Sequence, residues 1–205
     1  MRVRIYPVAL GKIIYHAASS PGVEVAGLMI GKEGGGVIEV WDAVTGPQVG
    51  TAGFVHLDEL FMAKVADALH SANIGLYIVG WYHSHPGLNV FMSAVDVRTQ
   101  LAYQSIYPKS VALVIDPSGY IRTKNVNDVV FKVFHINKEG IVAEIPTSIG
   151  MNRSRVIEST IAALRGYGAK VDGEGTGHNL IIERAKKAIS EAGKRILKRE
   201  VERGE

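Results

Sequence analysis

Leu76 to Tyr82 is an apolar, β-rich run that leads straight into His83-Ser84-His85-Pro86. Such a run reads as a buried strand. Successive side chains of a strand point to opposite sides, so His83 and His85 project to the same one. Whatever this chain folds into must bury that strand and leave two imidazoles together at its end. Seven residues later comes Ser93, and after two more comes Asp96. Two imidazoles and a carboxylate are a ligand set that suits a hydrolytic zinc ion, which takes three protein ligands and keeps a fourth position for water.

The segments around this strand alternate in type. Residues 2–8 place Val3, Ile5 and Pro7 at strand spacing, and Val8 to Ala18 place Ala9, Leu10, Ile13, Ile14 and Ala17 at helical spacing. Val25 to Gly31, the turn Gly34-Gly35-Gly36 and Val37 to Val44 read as a β-hairpin. Gly46 to Gly53 reads as a mobile glycine-containing loop, and Leu57 to Ala72 as an amphipathic helix whose N-terminal end is favoured by Asp58 and Glu59. Ser93 to Ser105 reads as a helix and Val111 to Ile115 as a buried strand. Asp116-Pro117-Ser118-Gly119 signals a turn, Val129 to Ile136 a late strand, and Ile141 to Ile145 one more. Helices mixed with neighbouring antiparallel strands predict an α+β fold rather than a doubly wound parallel sheet.

Composition changes after Thr147, which sets the expected organisation: a catalytic domain over 1–147 and a helical extension over 148–205. The extension carries two helical patterns joined by a Gly-rich linker at 168–177, and Ile181, Ala185, Ala188, Ala192 and Ile196 form an apolar stripe that must pack on something. Residues 151–205 hold 12 Lys/Arg against 8 Asp/Glu. A solvated basic helix face is the ordinary reading of that excess. A lone Tyr167 does not make a pattern of aromatics interleaved with the basic residues, which argues against nucleic-acid binding. There are no cysteines, so thiol nucleophiles and zinc fingers drop out and any metal site must use His, Asp, Glu or water. No run approaches the roughly 20 apolar residues that span a bilayer, and Met1 to Ser20 lack a continuous apolar core of a signal peptide. A cytoplasmic protein with no membrane contact is the expectation.

The candidate site has competing explanations. His-x-His on a strand is weak by itself, and Ser93-Ala-Val-Asp96 makes a good capping box in its own right. It is the combination that points to a metal. Ser93 and Asp96 share a face of the predicted helix, and Pro86, Gly87 and Asn89 let the chain turn so that this helix end returns over the strand end. Hydrolysis further needs a proton acceptor, and Glu24, between Pro21-Gly22 and the apolar run from Val25, is the candidate. Phe91 and Met92 are read as core packing, and His16, His56, His70, His135 and His178 as surface or packing residues.

Glu24-Val25-Ala26-Gly27-Leu28-Met29-Ile30-Gly31 and Gly80-Trp81-Tyr82-His83-Ser84-His85-Pro86-Gly87, with Ser93, Asp96, Pro47-Gln48 and Val114-Ile115-Asp116-Pro117, resemble the JAMM (MPN-type) metalloprotease family. Within that family the likeness is to deubiquitinating subunits of the proteasome lid, of an archaeal type. It runs from about Val3 to Ile145. The resemblance implies an MPN/JAMM domain, a mixed, largely antiparallel curved sheet flanked by helices, and a zinc metallopeptidase that cleaves the isopeptide bond after the Gly-Gly of ubiquitin or a ubiquitin-like modifier. It implies one Zn2+ per chain on His83, His85 and Asp96. Glu24 would be the general base and acid, and Ser93 the oxyanion donor. The segment from Gln48 through Val49, Gly50, Thr51, Ala52, Gly53, Phe54 and Val55 would hold the modifier tail. Implied partners are modifier conjugates, with the proteasome or a helical-bundle partner reached through the C-terminal helices. Two alternatives stay open: a peptidase that trims a ubiquitin-fold sulfur-carrier precursor, and a structural MPN scaffold subunit.

Overall fold

The structure is a computed structural model that describes residues 1–150. The expected helical extension beyond them, with its linker and apolar stripe, lies outside the described residues.

β1 (Arg2–Ile5) stops earlier than the alternation suggests, because Pro7 opens α1 (Pro7–Ser19). A proline at the first helical position loses no hydrogen bond and arrives with the right φ. β2 (Ala26–Gly34) and β3 (Val37–Val44) form the expected antiparallel hairpin. Its turn residues Gly35 and Gly36 sit at φ 60° and 76°, a backbone conformation that side-chain-bearing residues rarely adopt. The next segment departs from expectation. Gly46 to Gly53 is not an open loop: β4 (Gln48–Thr51) and β5 (Phe54–Leu57) pair as a separate two-stranded hairpin. α2 (Glu59–Ala72) follows, and the Asp58 carboxylate caps it by accepting from the Phe61 N–H at 2.7 Å.

β6 (Tyr77–Ser84), α3 (Ala94–Ile106) and β7 (Val111–Asp116) make a parallel strand–helix–strand unit. The Asp116-Pro117-Ser118-Gly119 turn continues into a short helix, α4 (Ser118–Thr123). β8 (Val130–Ile136), β9 (Val142–Glu144) and β10 (Thr147–Ile149) complete the described part. Eight strands lie in the order β10-β1-β3-β2-β6-β7-β8-β9. Four of the seven pairings are antiparallel and three parallel, so the sheet is mixed and the fold α+β, as expected.

Neighbouring residues of β2 pack into different cores. Met29 joins Leu10, Ile13 and Ile14 of α1, whereas Leu28 and Ile30 join Phe61, Val65 and Leu69 of α2. Both faces of the central strands are therefore covered, which is why β2, β6 and β7 read as apolar runs rather than alternations. A register shift between β2 and β6 opposes Met29 to Gly80 and Ile30 to Ile78, leaving Val79 out of the pairing. Val79 and Tyr82, three apart, thereby both reach the core on the α1 side. Trp81 and His83 point to the other face, toward α3.

A candidate metal centre at the end of the central strand

The unit of β6, α3 and β7 builds the site. A crossover helix starts near the end of the strand it follows, so the end of β6 and the first turn of α3 meet. His83 ends up 0% exposed and His85 2% exposed. After His85 the chain turns through Gly87 and Asn89, at φ 74° and 70°. The Asp116 carboxylate holds that turn, accepting from the Gly87 N–H at 3.0 Å and the Ser118 N–H at 2.9 Å.

At the start of α3, Ser93 Oγ accepts from the Asp96 N–H at 3.2 Å while Asp96 Oδ2 accepts from the Ser93 N–H at 2.7 Å. The capping box is complete. The same box leaves Asp96 Oδ1 free to face the strand, 3.2 Å from His83 Nε2. The structural and chemical readings of this motif are thus compatible. The cap orients the carboxylate, and the helix N-terminus favours its charge.

His83 Nε2 and His85 Nε2 lie 3.1 Å apart, and Asp96 Oδ2 is 3.6 Å from His85 Nε2. One ligand atom from each residue falls within 4.8 Å of the others. Zinc–ligand bonds of about 2.0–2.2 Å in a tetrahedron place neighbouring ligand atoms about 3.3–3.6 Å apart. The three donors have the spacing and the chemical type of a first-row divalent cation site.

Glu24 enters from the segment before β2. It is 4% exposed, and its Oε1 is 3.7 Å from His85 Nε2. Two ties keep it there. The Ser84 side chain accepts from the Val25 N–H at 3.0 Å, and the Ser84 N–H donates to the Val25 carbonyl at 2.9 Å. The Glu24 N–H donates to the Thr51 carbonyl of β4 at 2.7 Å. The sequence assigns Ser84 no role. Its only signal there is that a residue between two ligands on a strand must face the opposite side.

The charges in this pocket are coupled. Burial pushes the Glu24 carboxyl above the ordinary carboxylate range, His85 draws it back, and Asp96 raises it further. Burial pushes His83 down, only partly offset by its hydrogen bond with Asp96. His85 is also pushed down by burial, but its hydrogen bond to Asp96 and the nearby Glu24 and Asp96 charges outweigh this and hold it raised. At Asp96 burial acts upward, yet hydrogen bonds from His83, His85 and Ser93 hold its carboxyl far below the usual range. His83 neutral and Asp96 ionised are the forms in which these groups bind a metal.

The β4–β5 hairpin lies against this pocket. A Cβ on Gly50 would stand 2.3 Å from the Glu24 carbonyl oxygen. Val49 and Phe54 are exposed, at 68% and 41%. Gln48 is not. Its side chain turns inward, accepting from the Ala26 N–H at 2.8 Å and donating to Thr45 Oγ1 at 2.7 Å, so it anchors the hairpin to β2. Phe91 also departs from its expected core position. It is 48% exposed, and its ring centroid is 4.9 Å from that of His85. Of the histidines without a site role, His16 hydrogen-bonds the Tyr82 hydroxyl at 2.8 Å and His135 meets the Ser110 carbonyl at 2.9 Å. Among the described residues no helix is long and apolar enough to cross a membrane.

A buried strand end and a capped helix that join two histidines and an aspartate beside a buried glutamate define a candidate metallohydrolase. The chain belongs to the JAB1/Mov34/MPN/PAD-1 ubiquitin protease family, which matches residues 1–109. Among curated proteins it is 35% identical over 164 residues to the 26S proteasome non-ATPase regulatory subunit 14 of Dictyostelium discoideum, covering 79% of this chain and 52% of that protein. It is 38% identical over 128 residues to the ubiquitin carboxyl-terminal hydrolase RPN11 of Saccharomyces cerevisiae, covering 62% and 42% respectively. The chain thus spans about half the length of the curated relatives it matches. The solution structure of a Desulfitobacterium hafniense protein shares the fold, with a TM-score of 0.50 at 19% identity over 73% of this chain and 94% of that one.

Proposed function

We propose that this chain is a zinc-dependent isopeptidase that releases ubiquitin or a ubiquitin-like modifier by hydrolysing the bond after its C-terminal Gly-Gly. The observation that carries this reading is the convergence of His83, His85 and Asp96, with the Glu24 carboxyl 3.7 Å from His85 Nε2. His83, His85 and Asp96 would hold one zinc ion per chain. When bound there, zinc supplies Lewis-acid polarisation and lowers the pKa of water toward about 7.

The protein's own groups do the rest. Glu24, raised by burial, takes a proton from the attacking water and returns it to the leaving lysine amine. Ser93 already uses an Oγ lone pair to accept from the Asp96 N–H, so its hydroxyl proton stays available for the substrate carbonyl oxygen as negative charge develops on it. The β4–β5 hairpin, with Val49, Thr51, Phe54 and Val55, would receive the extended modifier tail as an added strand. Gln48 acts there as the anchor of the hairpin rather than as a contact. The relatives named as proteasome subunits support a proteasome-linked role; a cytoplasmic location, and a helical-bundle partner for the apolar stripe within residues 148–205, belong to the same proposal.

The test is incubation of zinc-loaded protein with a lysine-linked modifier conjugate and, separately, with the same modifier fused through an ordinary peptide bond. Isopeptide cleavage that stops with chelator and with Glu24→Gln is expected. Cleavage of the peptide-linked precursor alone would assign the chain to precursor processing. No cleavage of either by fully zinc-loaded protein would refute the reading.

A further inference from the structure

A ligating histidine ordinarily has its second ring nitrogen held by a carboxylate, carbonyl or water, which fixes the plane of the ring. His83 departs from that pattern. Its Nδ1 is buried and finds no hydrogen-bond partner among the described residues. Among the described residues the ring has a stacking partner instead. Trp81, two residues earlier on the same face of β6, stacks on it with centroids 4.6 Å apart and planes 13° apart. On the Trp81 indole, Tyr103 of α3 stacks in turn, at 5.7 Å and 12°.

The indole is itself fixed. Its Nε1–H donates to Gln100 Oε1 at 2.8 Å, and Gln100, 0% exposed, donates onward to the Ser110 carbonyl at 2.7 Å and to Gln104 Oε1 at 2.8 Å. Gln100 lies one helical turn beyond Asp96. Two strand residues advance about 6.6–6.8 Å and four helical residues about 6 Å. The two elements therefore meet in matched rungs. His83 faces Asp96 at 3.2 Å, and Trp81 faces Gln100 at 2.8 Å.

We propose that Trp81, locked by Gln100, is a positioning residue of the metal centre, holding the His83 imidazole plane by stacking in place of the missing hydrogen bond. The inference rests on the proposed metal site, so wild-type protein is titrated beside the variants. Zinc affinity is read by competition with a chromophoric chelator, and ligand geometry by the visible absorption of the Co2+-substituted protein.

Wild type should bind one equivalent. Trp81→Phe, which keeps an aromatic face, should stay within about threefold of it. Trp81→Leu should bind about 10-fold or more weakly, within the 10–100-fold range of lost outer-shell support, and should shift the Co2+ bands. Gln100→Met, which frees the indole without touching His83, should weaken zinc severalfold; it decides the matter if Trp81→Leu does not fold. Equal zinc affinity in wild type, Trp81→Leu and Gln100→Met would overturn the positioning role and leave the metal site standing. Equal loss in Trp81→Phe and Trp81→Leu would overturn stacking as the cause. No zinc binding by wild type would overturn the metal site itself, and this inference with it.

Discussion

Ser93 is assigned two tasks, and they separate by mutation. Its Oγ caps α3 by accepting from the Asp96 N–H, and its proton is offered to the reacting carbonyl. Removing a serine N-cap costs about 1 kcal/mol when alanine replaces it and only a few tenths when glycine does. At about 2–4 °C per kcal/mol for a chain of this size, Ser93→Ala should lower the melting temperature by a few degrees and Ser93→Gly by about 1 °C or less. The reciprocal bond from the Ser93 N–H to Asp96 Oδ2 survives in both, since it uses the backbone. Asp96 therefore stays aimed at His83, and zinc affinity should hold within a few-fold. Loss of an oxyanion donor costs about 10²–10³ in kcat, and both variants should show it equally. Ser93→Thr keeps a capping, donating hydroxyl and should recover much of the activity. The assays are thermal unfolding of the zinc-loaded protein and kcat on an isopeptide-linked conjugate. Near-wild-type kcat in Ser93→Gly would refute the donor role and leave Ser93 a helix cap only.

The other predictions concern the neighbouring parts. Glu24→Gln should retain zinc, because Glu24 is not among the proposed ligands, and lose about 10²–10⁴ in rate in a single-turnover assay; full activity would remove its assigned role. Gly50→Ala puts a methyl 2.3 Å from the Glu24 carbonyl oxygen, so the β4–β5 hairpin must shift; a loss of about 1–3 kcal/mol in denaturant unfolding is expected, with a raised KM. In chelated protein the raised His85 gives stability that is full below its ordinary pKa of 6.5 and is lost as pH rises through its higher folded value. The depressed Asp96 gives stability present above about 4, lost as pH falls toward its folded value. Melting temperature against pH should fall on both sides, and zinc should remove the share of the alkaline decline that comes from His85, since bound histidine is already unprotonated, while leaving any share from the raised Glu24. A flat alkaline profile in the chelated protein would contradict the coupling.

The site was legible in the sequence to the extent that it is local. A strand running into His-x-His, and a serine and aspartate three apart at a helix start, each have a short-range geometry that spacing alone reveals. So does the Gly35-Gly36 turn between two apolar runs. What joins them does not. The β4–β5 hairpin is hidden in the sequence because its strands are four residues each, are half exposed and contain Gly50 and Thr51 in place of an apolar alternation. It is held instead by tertiary bonds that its own sequence does not show, from the Ala26 N–H to Gln48 and from the Glu24 N–H to the Thr51 carbonyl. The parallel pairing of β6 with β7 likewise depends on where α3 packs. Phe91 differs for a related reason: an aromatic beside a ligand turn looks like core in sequence, and only the fold leaves it half exposed against the His85 ring.

Every proposed role depends on one divalent ion shared by His83, His85 and Asp96. Anomalous diffraction at the zinc edge, on crystals grown with stoichiometric zinc, tests it directly. A single strong peak is expected about 2.0–2.2 Å from both Nε2 atoms and from an Asp96 oxygen. A site with no peak, or a peak that engages only one of the three side chains, would contradict it.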